Sequence, residues 1–160
     1  MRASKNSLSP TIQMRSSGFT LIELMVTIAV LAIIVGIAAP SISTQLENQR
    51  VKATTATLVS ALKEAKAESV IRRQALEFSF DASNHSIAIK TKEDSPVEVA
   101  SYSYSSKSII KADETSITFS PSKRADAVTL NVCDNYSATT MQVIVTTAAN
   151  ISSVAGGTCS

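Results

Sequence analysis

The sequence predicts an α+β protein, with a long amino-terminal helical spine and a small, mostly β, antiparallel head read as two sheets. Three observations carry this. An apolar run of 21 residues occupies positions 19–39. Positions 41–77 contain no glycine or proline, and apolar side chains recur there at helical spacing. From Leu76 onward the period falls from 3.6 to 2. Strand order stays open at this level.

Composition narrows the chemistry. The chain has 160 residues, enough for one modest core, with one His, two Cys, no Trp and four Gly. His85, Cys133 and Cys159 cannot supply a three-histidine or multi-cysteine metal site, and four scattered glycines do not make a phosphate-cradling loop. His85 falls in an Asn84-His85 turn with no acid or nucleophile at motif spacing, and Asp81, Asp113 and Asp126 lie in separate loops. No catalytic residue, metal or cofactor is expected, and a net charge of +2 implies no strongly charged partner.

The first element is the amino-terminal helix. Residues 1–18 carry Arg2, Lys5 and Arg15 and no acid. The following run, FTLIELMVTIAVLAIIVGIAA, departs from the apolar set only at Thr20, Glu23, Thr27 and Gly36. As a helix it covers roughly 30 Å, the thickness of a bilayer's hydrocarbon core. Basic residues before the run predict an amino end in the cytoplasm, a single pass, and everything after Pro40 outside. A removable secretory signal is the alternative, but the run is too long and lacks a clean small-x-small cleavage site. Glu23 is the anomaly: a charged group in such a run costs on the order of 2–4 kcal/mol, less near the headgroups. It calls for a partner.

The residues around it, Gly18-Phe19-Thr20-Leu21-Ile22-Glu23-Leu24, read GFTLIEL, and with the basic leader they resemble the type III signal of type IV pilins and type II secretion pseudopilins. The resemblance implies a type IV pilin fold and cleavage after Gly18 by a prepilin peptidase, which methylates the new amino terminus at Phe19. It implies that the Glu23 carboxylate faces the amine of a neighbouring subunit during filament assembly, and that Pro40 is the helix-kinking proline. The chain then divides into a removed leader (1–18), a transmembrane and assembly half of the helix (19–39), a periplasmic half (40–75) and a β-rich head (76–160).

In that second half of the helix, Val51, Thr55, Leu58, Leu62, Ala65 and Ser69 follow one another at steps of three and four, a core-facing stripe on a helix expected to reach about Gln74. A coiled coil is the alternative, but the stripe is short and rich in small residues. Six strands are read at 77–80, 86–90, 97–104, 116–119, 128–132 and 141–145, separated by turn residues at 81–84, 93–96, 121–123 and 134–135. Residues 152–160 are read as a carboxyl tail.

The helix end at 65–72 and the strand and turn at 116–121 resemble the GspH/FimT branch of minor pilins and pseudopilins, whose heads are almost entirely β. Lys123 stands where that branch commonly has glycine, and the branch's Gly-Arg-rich DNA-binding ending is missing. Residues 78–160 hold six bases and eight acids, so a nucleic-acid partner is not expected. Lys123 and Arg124 are the best local DNA-binding candidates, with a solvated turn as the plain alternative. On the oxidising external side a Cys133–Cys159 disulfide is favoured, with two separate thiols as the alternative. The resemblance implies a minor pilin in a tip or priming complex. Its partners would be other minor and major pilins, prepilin peptidase, the inner-membrane assembly platform and, before assembly, membrane lipid. It would reside in a bacterial inner membrane and then in a pilus; a type II secretion pseudopilin or a DNA-uptake minor pilin are the alternatives.

Overall fold

The computed structural model describes residues 18–135, 137 and 139–159, and of Ala38, Ala39 and Pro40 the backbone only. Residues 1–17, which the sequence assigns to a leader, lie outside the described residues. By contacts the chain forms two compact units, Met1–Ala39 and Pro40–Ser160.

Helix α1 runs Leu21–Arg72. It begins two residues later than its apolar run because Thr20 caps it, and it stops short of Gln74 for an equally local reason. Arg73 adopts a left-handed conformation (φ 55°) and the Gln74 N–H reaches back to the Ser69 carbonyl at 3.2 Å, which is a Schellman closure.

In the second unit the helical stripe is the floor of the core. Val51, Leu58, Leu62, Ala65 and Ser69 are fully buried and Thr55 nearly so. Among the described residues nine strands in two antiparallel sheets cover it. One sheet joins β1 (Leu76–Asp81), β2 (Ser86–Thr91), β3 (Glu98–Ser103), β5 (Ser116–Ser120) and β6 (Arg124–Ala125) in the order β3-β2-β1-β5-β6. The other joins β4 (Ser108–Lys111), β7 (Val128–Asp134), β8 (Met141–Val145) and β9 (Ile151–Ala155) in the order β4-β7-β8-β9. Strand alternation does what the sequence period requires: Leu76, Phe78, Ile87, Ile89, Ile117 and Phe119 turn inward from one sheet, Leu130, Val132 and Val143 from the other. Ala61 and Ala65, both fully buried, present only methyl groups to the sheets.

Polar contacts fix the helix within this unit. Arg50 Nε donates to Asp134 Oδ2 at 2.9 Å, with the Asp134 side chain wholly buried. Thr54 Oγ1 donates to Ser108 Oγ at 2.9 Å, and Lys66 Nζ to the Ala149 carbonyl at 2.8 Å. The Tyr102 hydroxyl donates to Glu64, and this bond raises the phenol's pKa above its ordinary value.

Three strands depart from the sequence expectation. β4 is four residues and β6 two, too short for a period to register. β9 falls in the stretch that the sequence assigns to the carboxyl tail, because Ser152-Ser153 breaks the apolar alternation of an edge strand whose residues 152–155 are exposed. Lys123 occupies its turn at φ 60°, the left-handed region that suits glycine, with its N–H on the Ser120 carbonyl at 3.0 Å. Lys123→Gly is expected to raise stability by about 0.5–1 kcal/mol, since relief of the left-handed strain is partly offset by glycine's freer unfolded chain. A shift of the urea midpoint to higher concentration checks this.

Candidate assembly site

In the first unit Gly18 and Phe19 precede the helix, with Phe19 79% exposed. Thr20 Oγ1 accepts the Glu23 N–H at 3.3 Å, and the Thr20 carbonyl accepts the Leu24 N–H at 3.2 Å. Thr20 is therefore the N-cap, and Glu23 stands at the third helical position, the Thr-x-x-Glu spacing of a capping box. That signal was in the sequence, and the structure uses it to place the Glu23 backbone N–H on the Thr20 hydroxyl. Its carboxylate also sits in the first turn, where the helix dipole favours negative charge.

Past the cap the helix is apolar on every face. From Leu21 to Ile37 every described side chain is exposed, with Val30 the least exposed of the large ones at 50% and Leu21 the most at 76%. Among the described residues of the first unit nothing covers this surface, an apolar area of the kind that marks an interaction site. Thr27, the one other hydroxyl in the run, spends its proton on the Leu24 carbonyl at 2.8 Å and adds no unpaired donor. By length and composition no single helix among the described residues qualifies as a membrane span; Leu21–Ile37 and Ser41–Arg72 qualify only together.

Two glycines contrast. A Cβ at Gly18 would meet nothing within 4 Å, so the fold itself makes no demand for glycine there. A Cβ at Gly157, at φ 90°, would sit 2.3 Å from Asn131 Oδ1, so the fold requires glycine there.

Of the other sequence-derived candidates, Cys133 and Cys159 form a disulfide with Cα atoms 6.3 Å apart, tying the carboxyl end to β7. Pro40 lies inside α1, and its side chain is outside the described residues. Lys123 and Arg124 are exposed at the β5–β6 turn. Arg124 shares a shallow concavity of about 340 Å³ with Lys92, a neighbour that sequence spacing gave no reason to expect, and with Asp126, which opposes them in charge. Among the described residues no three His, Cys, Asp or Glu side chains converge as a metal site would require.

A model of the prokaryotic N-terminal methylation motif matches residues 13–39. The family model described as type II transport protein GspH matches residues 54–149. The chain belongs to the GspH family. Its fold is similar to that of several solved structures. The Pseudomonas aeruginosa type IV minor pilin FimU, in two crystal forms, superposes with TM-scores of 0.60 and 0.62 at 15% identity, covering 68% and 71% of this chain and 99% and 98% of FimU. The minor pseudopilin EpsH of the Vibrio cholerae type 2 secretion system superposes at 0.59 and 9% identity, covering 68% of this chain and 99% of EpsH. No curated protein matches the sequence. The GspH-family chain thus has the type IV pilin fold, a helix followed by two antiparallel sheets, and is a minor pilin or pseudopilin subunit. Its family and fold are those of structural subunits that assemble with other pilins, and its amino-terminal motif is a prepilin peptidase substrate motif.

Proposed function

We propose that this chain is a minor pilin of a type IV pilus, anchored in the bacterial inner membrane by its helix and incorporated into a tip or priming complex. Prepilin peptidase cuts between Gly18 and Phe19 and methylates Phe19, the head lies on the periplasmic side, and Pro40 lets the helix bend. The observation that carries the reading is a helix apolar on all faces, directly behind GFTLIEL, with its surface left for a bilayer or neighbouring subunits to bury. In the filament the Glu23 carboxylate pairs with the amine of a neighbouring Phe19, which offsets the cost of burying either charge and fixes axial register. The type II secretion pseudopilin is the second reading, favoured by the EpsH likeness at nearly the same TM-score. Intact mass and amino-terminal sequencing of protein from native membranes test the processing step. A chain beginning at methylated Phe19 is expected, and one retaining its leader in cells with active peptidase sinks the filament reading.

Glu23→Gln separates the charge of that residue from its place in the first helical turn. Glutamine fills a capping box as well as glutamate, so helix content and cleavage are expected to stay at wild-type levels. Filament incorporation is expected to fall by roughly 30-fold, the effect of leaving one buried charge without its partner at about 2 kcal/mol. Quantitative blotting of sheared filaments against membranes checks it, and undiminished incorporation removes the charge pairing.

A further inference from the structure

The free edge of β9 differs from the other sheet edges among the described residues. β6 is two residues, β4 is four and ends on Lys111, and β3 begins on the exposed Glu98 and is tied to the helix through Tyr102. Short length and charge are the usual means of blocking strand addition. β9, Ile151-Ser152-Ser153-Val154-Ala155, has five residues and neither charge nor proline.

The register shows which backbone groups it leaves open. Gly156 N–H bonds the Thr140 carbonyl at 2.9 Å and Thr146 N–H the Asn150 carbonyl at 3.0 Å, and Gln142 faces Val154 while Ile144 faces Ser152. In an antiparallel ladder hydrogen-bonded pairs alternate with open ones. The N–H and C=O of Ser152, Val154 and Gly156 therefore serve β8, and those of Ile151, Ser153 and Ala155 point away from the sheet.

A second, independent feature lies beside this edge. The helix and the inner face of β8 and β9 leave a groove of about 330 Å³, mainly apolar, lined by Ala56, Val59 and Met141 and by Ser153 of β9. Lys52 lines it at the amino-terminal end of the helical stretch and has no ion-pair partner among the described residues. Both ends of the strand are held in place. Lys66 bonds the Ala149 carbonyl before it, and the Cys133–Cys159 disulfide anchors the chain after it.

We propose that the β9 edge receives an extended strand from a neighbouring, different pilin subunit, with apolar residues at every second position over the groove and an acid meeting Lys52. A row of outward N–H and C=O groups at strand spacing is matched by another strand and not by a helix. A second copy of this chain fits poorly, because its own β9 offers Ser153 and Ala155 to an apolar groove and no acid to Lys52. The assignment of the occupant as a pilin rests on the filament reading above.

The test uses the full chain in its native membranes with a photo-crosslinking residue at Ser153, and with controls at Leu31 in the assembly helix and Ser122 in an exposed turn. At Ser153, adducts identified by mass spectrometry as a strand segment of a different pilin are expected, and at Ser122 none. Ser153→Pro removes an outward donor and no β8–β9 bond, and Ser153→Lys turns a charge toward the groove beside Lys52. With the crosslinker moved to Ala155, both variants are expected to cut the adduct about tenfold and to leave the urea midpoint unchanged. The proposal is overturned if both variants crosslink at wild-type yield, or if Leu31 captures pilins while Ser153 captures none, another copy of this chain or a non-pilin. Failure at Leu31 as well removes the filament reading together with the strand addition.

Discussion

Gly18→Leu is expected to leave the chain folded, membrane-bound and almost entirely unprocessed. Most glycines are explained by their own fold, and Gly157 is such a case, with positive φ and Asn131 pressed against it. Gly18 is not. It lies outside the helix, a Cβ there would touch nothing, and the capping contacts that begin α1 start at Thr20. In the processing proposed above, a demand for a small residue there would come from outside the chain, from the site of the peptidase that closes around the bond to Phe19. Four extra carbon atoms forced into a site shaped for a hydrogen atom cost a tightly packed complex on the order of 1–3 kcal/mol, or about 10–100-fold in rate. Ala at the same position is expected to fall between glycine and leucine. The measurement is the ratio of precursor to mature chain after a pulse of synthesis, read beside the urea midpoint of the head, which is expected not to move. Processing of the leucine variant at the wild-type rate would show that the site reads something other than residue size.

The difference between those two glycines also shows how far the sequence was legible. Regularities with a long enough period were readable: the stripe from Val51 to Ser69 is buried as its spacing demands, and all six strands read from alternation exist within a residue or two of their expected limits. The family, too, was readable, because GFTLIEL sets an acid at the start of an apolar helix directly after a basic segment. What could not be read was short or set by distant partners. β4 and β6 span less than a useful period. β9 is a strand because β8 lies beside it, since Ser152 and Ser153 carry no strand preference of their own. The meeting of Lys92 with Arg124 across two strands depends on sheet order, which no local pattern encodes. The capping role of Thr20 was readable from its Thr-x-x-Glu spacing and was masked by the more conspicuous oddity of a carboxylate in an apolar run.

The disulfide that ties the carboxyl end to β7 is where the greatest loss of stability from a single side chain is expected. Cys133 and Cys159 are 26 residues apart, and in the chain-entropy account a cross-link over that loop removes unfolded-state freedom equivalent to about 3.5 kcal/mol. Nothing on the native side replaces it. Residues 156–159 hold to the sheet through Gly156 N–H on the Thr140 carbonyl and Thr140 Oγ1 on the Gly157 carbonyl at 2.9 Å, while Asn131 Oδ1 beside Gly157 is buried without a hydrogen-bond partner. Cys159→Ser therefore is expected to destabilise the head by about 3.5 kcal/mol and to free the tail, and a reductant should reproduce the loss in the unmodified protein. Cys133→Ser should cost more, by about 1–3 kcal/mol, because Cys133 is 6% exposed and a hydroxyl there enters a buried site, whereas Cys159 is only partly buried. Urea unfolding of the three chains in detergent, with and without reductant, gives the comparison. A loss below about 1 kcal/mol for Cys159→Ser would mean that the native tail is already held by its backbone bonds. In that case the edge of β9 stays ordered in the reduced protein, and strand addition would not depend on the redox state of the compartment.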